Sequence, residues 1–203
     1  MIRQILFTPS LRGLLLAVAL AAGFGPLGGC ASTAVGVGAT VGVAALEERP
    51  MKVVAQDTAI SAKIRLALVE AGEKYVTSIG VEVYEGRVLL TGAVESEEMR
   101  AEAVRIAWKV INVEDVLNEL EIGDSSIRDL ARDSWITAQL VSKMTFDKEV
   151  LAINYSVETV NKVVYLLGLA QDQAELDRVI NHARAIDYVR RIINHVRVKK
   201  AAS

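Results

Sequence analysis

The chain repeats itself at a constant offset of 76 residues, and this repeat constrains the fold more than any other feature. Residues 57–64 (DTAISAKI) align with residues 133–140 (DSWITAQL), and residues 88–92 (VLLTG) align with residues 164–168 (VYLLG). The alignment runs over about 64 positions without an insertion, which chance does not produce. A fixed period of this kind indicates a duplicated structural unit. We therefore expect two copies of one small domain in tandem.

Both repeats predict the element order αββαβ. Apolar residues recur at helical spacing after Asp57 and after Asp133, so both aspartates are expected to be helix N-caps. Two runs rich in β-branched residues follow, separated by a turn, and they predict a hairpin. A second helix is expected to begin at Ser96 in the first repeat and at Asp172 in the second, where Glu175 completes a capping box. A final strand closes each repeat.

This order predicts an α+β fold in which each domain has a small three-stranded sheet with two helices on one face. The predicted strands are 79–84, 87–93 and 113–122 in the first repeat, and 152–159, 163–169 and 189–198 in the second. The predicted boundaries are 51–123 for the first domain, 124–132 for a polar connector and 133–200 for the second domain. A domain of about 65 residues is marginally stable alone, so we expect the two domains to pack against each other.

Three sequence patterns occur in the same order in both repeats. They are Asp-x-x-Ile-Ser/Thr-Ala, Val-x-Leu-x-Gly and Val-x-x-Val-x-Asn, the last with Ile192 in place of its second valine. Together they resemble the BON domain, a periplasmic module. Nearly the whole sequence after residue 29 is similar to the dual-BON outer-membrane lipoproteins, the division- and outer-membrane-stress-associated lipid-binding protein family. The resemblance implies a non-enzymatic protein that binds anionic phospholipid and supports outer-membrane integrity.

The amino-terminal segment has the composition of an export signal. It is basic at its start, and residues 14–24 form an uncharged apolar run that is short for a membrane span. Residues 27–30 (LGGC) resemble the lipobox of bacterial lipoproteins, which implies removal of a signal peptide, residues 1–29, and lipidation of Cys30. The alternative is a plain signal peptide that leaves a free thiol. By the same resemblance, Ala31 after the cysteine implies the outer membrane, with the protein facing the periplasm.

Residues 30–50 are rich in glycine, alanine and valine and carry no charge before Glu47. Such a segment has little to pack and is interpreted as a lipidated tether. Its apolar character also suits a segment that lies on the lipid surface, and the sequence leaves both interpretations open.

No set of residues in the sequence indicates catalysis, a cofactor or a metal site. The two histidines, His182 and His195, have no metal-type spacing, and the only cysteine is assigned to lipidation. Both repeats also lack the Gly-x-x-Gly loop of RNA-binding KH modules, so nucleic acid is not expected as a partner. We therefore expect a binding protein and not an enzyme.

The two repeats differ in charge. Residues 57–122 carry 13 acids and 7 bases, whereas residues 133–200 carry 8 acids and 10 bases. Six bases crowd the end of the second repeat: Arg184, Arg190, Arg191, Arg197, Lys199 and Lys200. Bases near an anionic lipid surface contribute about 1 kcal/mol each, so this end suits a membrane. A solvated strand edge would have the same composition.

Trp135 is a second difference, because its counterpart in the first repeat is Ala59. An indole at the edge of an apolar helix face suits a membrane interface, but it would equally fill a contact between the domains. We expect the second domain to bind an anionic, phosphatidylglycerol-like phospholipid membrane through six residues: Trp135, Ile136, Gln139, Lys143, Arg190 and Arg191. The rival hypotheses are a membrane-tethered adaptor that binds envelope proteins and a purely structural periplasmic spacer.

Trp108 is a third difference, since Arg184 is its counterpart. With Val104 and Ile111 it forms a second apolar line on its helix, which usually means a second packed surface. We expect this line to lie in the contact between the two domains. The acidic first domain is then structural or faces a protein partner.

Overall fold

The computed structural model describes residues 47–123 and 127–200. Within these, the first domain contains α1 (Met51–Ala71), α2 (Glu73–Ser78), β1 (Ile79–Tyr84), β2 (Arg87–Val94), α3 (Glu97–Trp108) and β3 (Asp115–Ile122). The second domain contains α4 (Ile127–Phe146), a 3₁₀ helix (Ala152–Asn154), β4 (Tyr155–Val160), β5 (Val163–Ala170), α5 (Gln173–Arg184) and β6 (Arg191–Val198).

The two domains have sheets of the same topology. β1 pairs antiparallel with β2, and β2 pairs parallel with β3; β4, β5 and β6 pair in the same way. Helices α1 and α3 pack on one face of the first sheet, and α4 and α5 pack on one face of the second. The predicted α+β fold is therefore confirmed in both domains. The structure adds α2 to the first domain and turns the start of the predicted strand 152–159 into the 3₁₀ helix.

The first helix of each domain begins earlier than the sequence predicts. α1 begins at Met51, before Asp57. α4 begins at Ile127, inside the predicted connector 124–132. Asp57 and Asp133 therefore lie within helices, and the prediction that they are N-caps is wrong.

Asp57 binds the hairpin turn of its own domain instead. Its buried carboxylate accepts hydrogen bonds from the backbone N–H groups of Glu85 and Gly86 at 2.8 and 2.9 Å. Both turn residues have positive φ, as a tight turn between two twisted antiparallel strands requires. Asp133 makes the equivalent two bonds to the β4–β5 turn, at 2.7 and 2.8 Å. In each domain one aspartate fastens the first helix to the hairpin.

The second helix of each domain begins where the sequence predicts. Ser96 Oγ accepts a hydrogen bond from a backbone N–H in the first turn of α3 at 3.3 Å, and Asp172 Oδ1 accepts one from Glu175 at 2.8 Å. The Glu175 carboxylate departs from the predicted capping box. It accepts from the backbone N–H groups of Leu151 and Gln171 and thereby ties α5 to the loop after α4.

The glycine that ends the Val-x-Leu-x-Gly pattern allows two backbone segments to approach closely. Gly168 has φ +148°, and a Cβ there would overlap with the carbonyl oxygen of Asn154. Gly92 has φ +131°, and a Cβ there would overlap with the carbonyl oxygen of Ser78. Because no other residue fits this space and this conformation, the glycine is part of the fold.

The two sheets pack face to face, so the helices of the two domains lie on opposite outer sides. Between the sheets is an apolar cluster to which both domains contribute: Tyr84, Leu89, Val163, Tyr165 and Leu167. We call this contact the sheet interface. It couples two domains that would each be marginal alone. The three apolar clusters of the described residues lie within residues 47–200, so a fragment of residues 47–203 contains all three of them.

Polar contacts surround the sheet interface. His195 Nε2 lies 2.8 Å from Glu119 Oε1, and Arg191 Nη2 lies 3.2 Å from Glu121 Oε1. The buried Arg87 donates a hydrogen bond to the carbonyl oxygen of His195 at 2.9 Å. These contacts fix how the second domain sits on the first.

The end of the predicted tether docks on both domains. Arg49 pairs with Asp57 at 2.8 Å, and its guanidinium lies 4.0 Å above the Tyr84 ring. The Glu48 N–H donates to Asn154 Oδ1 of the second domain at 3.0 Å. The chain therefore enters the folded part where the two domains meet.

Candidate functional site

The outer side of α4 carries aromatic and basic side chains. Five of its residues, four of them exposed and Arg132 half-buried, recur at intervals of three or four, so they share one face of the helix. Together with Tyr188, which follows α5, they form what we call the aromatic–basic face: Arg132, Trp135, Gln139, Lys143, Phe146 and Tyr188. Phe146 is 83% exposed, which is unusual for a side chain of this size.

Trp135 and Tyr188 form the centre of this face. Their rings meet edge to face, with centroids 6.3 Å apart and an interplanar angle of 69°. The guanidinium of Arg132 lies 4.5 Å above the Tyr188 ring. These contacts hold both rings in place, although Trp135 is 43% and Tyr188 is 59% exposed. The face therefore presents two fixed aromatic rings beside a positive charge.

Tyr188 has φ +72°, a left-handed conformation that costs a residue with a side chain about 1–2 kcal/mol. Its counterpart Asn112 has the same φ, and asparagine adopts this conformation more readily. The backbone of the repeat thus needs the left-handed residue, whereas the exposed ring is peculiar to the second domain. Strain of this kind is typical of functional positions.

The two acids of α4 are directed away from the aromatic–basic face. Asp129 pairs with Lys162 at 3.0 Å, and Asp133 is buried against the hairpin turn. Burial raises the pKa of Asp133, and the hydrogen bonds from the turn oppose that rise. Just after α4, Asp147 Oδ2 lies 2.7 Å from His182 Nε2, and this hydrogen bond lowers the pKa of Asp147. Arg132 and Lys143 are left without an acid from their own helix.

The first domain has the same backbone but not this face. The residues at the equivalent repeat positions are Gln56, Ala59, Lys63, Ala67, Glu70 and Asn112. They include no aromatic residue and one base. The fold shared by the domains therefore does not require the aromatic–basic face.

The structure brings three of the predicted site residues together. Trp135, Gln139 and Lys143 are exposed and lie on the aromatic–basic face. Ile136 has no exposed surface, because it packs in the core of the second domain against Val164 and its neighbours. Ile136 would therefore contact lipid only if the domain opened, and its role in lipid binding stays a prediction.

The two predicted arginines lie elsewhere. Arg190 and Arg191 are exposed around the start of β6, and Arg191 pairs with Glu121 of the first domain. They flank the sheet interface and are not part of the aromatic–basic face. Cys30, the predicted lipidation site, lies outside the described residues.

Three residues of the face are missing from the sequence prediction. Arg132 falls in the predicted connector, so it is not assigned to a helix face. Phe146 lies on the same face as Trp135, and extending the helical spacing of three and four residues would have found it. Tyr188 reaches Trp135 only through the packing of α5 beside α4, which no local pattern reveals.

Trp108 does not pack between the domains. It is 51% exposed, and Ile111 nearby is 75% exposed. The prediction for Trp108 is wrong because the domains meet through their sheets, whereas α3 lies on the outer side of the first sheet.

Within residues 47–123 and 127–200, no helix is both long enough and apolar enough to cross a bilayer. The same residues contain no group of three or more His, Cys, Asp or Glu side chains arranged to hold a metal ion.

Comparison with known proteins identifies the repeats. Residues 56–124 and 132–200 each match the BON domain. A protein of Anaplasma centrale described as "Uncharacterized protein in gshII 5'region" is 41% identical over 70% of this chain and 95% of its own length. "Osmotically-inducible protein Y" of Escherichia coli is 34% identical over 70% of this chain and 73% of its own. "Outer membrane lipoprotein DolP" of Haemophilus influenzae is 31% identical over 82% of this chain and 87% of its own. The chain therefore belongs to the BON-domain family, as a dual-BON protein of the DolP family.

Proposed function

We propose that this chain is an outer-membrane lipoprotein whose second BON domain binds anionic phospholipid and so supports membrane integrity. The observation that carries the proposal is the aromatic–basic face, which the second domain has and the first domain lacks. Tryptophan and tyrosine favour the headgroup level of a bilayer, and each base near an anionic leaflet contributes about 1 kcal/mol. The proposed activity is binding, without catalysis.

Cys30 is the proposed anchor. Residues 27–30 resemble a lipobox, and the similarity to a relative named as an outer membrane lipoprotein supports the same location. Buried acyl chains contribute about 0.8 kcal/mol per CH₂, so a multiply acylated cysteine holds the protein at the membrane almost permanently. The folded domains then face the periplasm.

The packing of the sheets supports contact with the bilayer through one side of the molecule. Since the helices of the two domains lie on opposite outer sides, a bilayer that contacts α4 does not contact α1 or α3. The chain enters the folded part at Glu48 and Arg49, beside the sheet interface, and these residues leave the aromatic–basic face uncovered. The anchored protein can therefore lay this face on lipid.

Anchoring also reduces the affinity that the second domain needs. A tether keeps the domain at high effective concentration near the membrane, so a weak contact is largely occupied. Two bases, two aromatic rings and the exposed Phe146 supply such a contact. Lipid recognition by the second domain thus follows anchoring and is separate from it.

Vesicle sedimentation of fragment 47–203 tests the proposal. We expect binding to phosphatidylglycerol-containing vesicles and little binding to phosphatidylcholine vesicles, with a decrease as salt screens the bases. Trp135→Ala should weaken binding about tenfold, because burying a large apolar side chain is worth at least about 1.5 kcal/mol. Trp108→Ala is the matched control, since Trp108 is similarly exposed on the opposite side of the molecule. If wild type binds phosphatidylcholine vesicles as tightly as phosphatidylglycerol vesicles, and Trp135→Ala binds both as tightly as wild type, the proposal is overturned.

A second candidate function is a membrane-tethered adaptor for envelope proteins. The observation that favours it is the exposure of Trp108 and Ile111 on the acidic first domain. A photo-crosslinking residue at position 108 of the anchored protein tests it. A defined crosslinked protein that disappears with Ile111→Ser, while vesicle binding is unchanged, would support the adaptor.

A further inference from the structure

We infer that Arg132, held on the Tyr188 ring, is a specific binding site for the phosphodiester group of one glycerophospholipid. This inference rests on the proposed function and deepens it, because it separates one defined headgroup contact from diffuse attraction between a basic surface and an anionic bilayer.

The Arg132 guanidinium has a defined position. It lies 4.5 Å above the Tyr188 ring, whose edge-to-face contact with Trp135 fixes the ring in turn. A guanidinium stacked on an aromatic face keeps its N–H groups at its rim, free to donate in the plane of the group. The stack therefore orients the guanidinium N–H groups and leaves them free to donate hydrogen bonds to a ligand.

The acidic side chains near Arg132 bind other partners. Among the described residues, no carboxylate forms an ion pair with Arg132. Asp129 pairs with Lys162, and Asp133 binds the hairpin turn. An oriented guanidinium without an acid partner suits an external anion, and its planar fork matches the oxygens of a phosphodiester.

All three residues of the stack are particular to the second domain. The counterparts of Arg132, Trp135 and Tyr188 are Gln56, Ala59 and Asn112. A tyrosine is present at a left-handed position where the first domain has asparagine, so its ring is kept against the preference of the backbone. The fold does not require this ring, but its contact with Arg132 positions the guanidinium.

The adjacent rings decide between a lipid and a free phosphate. Trp135 and Tyr188 are both about half exposed beside the guanidinium, and aromatic rings of this kind sit at the headgroup level of a bilayer. A phosphate that arrives with acyl chains gains contacts with these rings, whereas inorganic phosphate gains none. The site is therefore assigned to a lipid headgroup.

Two substitutions in fragment 47–203 test the inference on phosphatidylglycerol vesicles. Arg132→Lys keeps the charge but loses the planar fork, and we expect about tenfold weaker binding, because an ammonium group cannot donate the two parallel hydrogen bonds of a guanidinium. Tyr188→Asn removes the platform and keeps a residue that the repeat tolerates at this φ, so it should weaken binding to a similar extent. Arg105→Lys, the same change at an exposed arginine of α3 in the first domain, is the control and should bind as wild type does.

The nitrogen-15 NMR signal of the Arg132 Nε–H group supplies a readout that a purely structural role would not move. We expect it to shift on titration with dihexanoyl phosphatidylglycerol and to stay in place with inorganic phosphate. If both shift it equally, the lipid assignment is overturned. If wild type binds anionic vesicles and Arg132→Lys binds equally well, the headgroup site is overturned while the proposed function stands. If wild type does not bind anionic vesicles, the proposed function itself fails.

Discussion

Glu158 of β4 occupies the same repeat position as Glu82 of β1, and the two carboxylates face each other across the sheet interface. Glu82 Oε2 lies 3.3 Å from Ser156 Oγ, which belongs to the same strand as Glu158. Burial raises the pKa of Glu158 to about 7, and repulsion by Glu82 adds to the rise. Burial also raises the pKa of Glu82, and Arg65 opposes that rise from 3.7 Å.

This pair predicts a pH-dependent stability. Between pH 4.5, the ordinary pKa of a glutamate, and about 7, the folded protein holds a proton on Glu158 that the unfolded chain has lost. Stability therefore falls as pH rises through this window. Calorimetry of fragment 47–203 should show that Glu158→Gln has a Tm close to wild type near pH 4.5 and an increasingly higher Tm as pH approaches about 7.5. A difference that stays constant across the window contradicts the raised pKa.

The carboxylate of Asp133 should be worth more than an ordinary surface acid. Asp133→Ala leaves two backbone N–H groups of the β4–β5 turn without partners, and each costs about 1–3 kcal/mol. We expect urea unfolding to show a loss of about 2–5 kcal/mol. Asp133→Asn keeps one acceptor oxygen and should lose about half as much. Equal stability of Asp133→Ala and wild type would show that the turn does not depend on this contact.

Two glycine substitutions allow the cost of an unfavourable backbone conformation to be measured separately from the cost of steric overlap. Gly168 and Gly123 have nearly the same φ, but a Cβ at Gly123 meets no atom within 4 Å, whereas one at Gly168 overlaps with the Asn154 carbonyl oxygen. Gly123→Ala should cost about 1–3 kcal/mol through conformation alone. Gly168→Ala should cost clearly more and prevent the second domain from folding stably, as circular dichroism would show. Similar losses for the two variants would mean that the strands separate easily.

The sheet interface should make the two domains unfold together. Leu167 is fully buried in it, and Leu167→Ala should cost about 2–5 kcal/mol. Because the first domain loses its support as well, hydrogen exchange should accelerate in β2 as much as in β5. Leu66→Ala is the control, since Leu66 is exposed and its loss should change stability by less than about 0.5 kcal/mol. Faster exchange confined to the second domain contradicts the coupling.

Most of the fold could be predicted from the repeat, because local sequence patterns determine where the strands and the second helix of each domain lie. The hairpin turns and the caps at Ser96 and Asp172 follow from residues close in sequence. Asp57 and Asp133 show where this reasoning stops. An aspartate ahead of periodic apolar residues is typical of an N-cap, and only tertiary structure reveals that its carboxylate reaches a turn in the hairpin instead.

The site was predicted in part for the same reason. Trp135 lies on α4 to one side of Ile136, Leu140 and Met144, whose helical spacing places them in the core, so its exposure could be predicted. The same spacing already indicated that Ile136 is buried. Tyr188 could not be found, because its contact with Trp135 depends on how α5 packs beside α4. The prediction for Trp108 was wrong because the sequence pattern allows the two domains to pack through their helices or through their sheets, and they pack through their sheets.

We propose that the second domain, and not the first, meets the lipid, and the two tryptophans allow a direct test. The chain contains two tryptophans, one in each domain, and both are about half exposed. In fragment 47–203, Trp108→Phe leaves Trp135 as the only fluorophore of this type, and Trp135→Phe leaves Trp108. Quenching by vesicles of brominated phosphatidylglycerol therefore reports on each domain separately. We expect strong quenching and a blue shift of Trp135, with no quenching of Trp108. Quenching of Trp108 with Trp135 unaffected would show that the first domain meets the lipid instead.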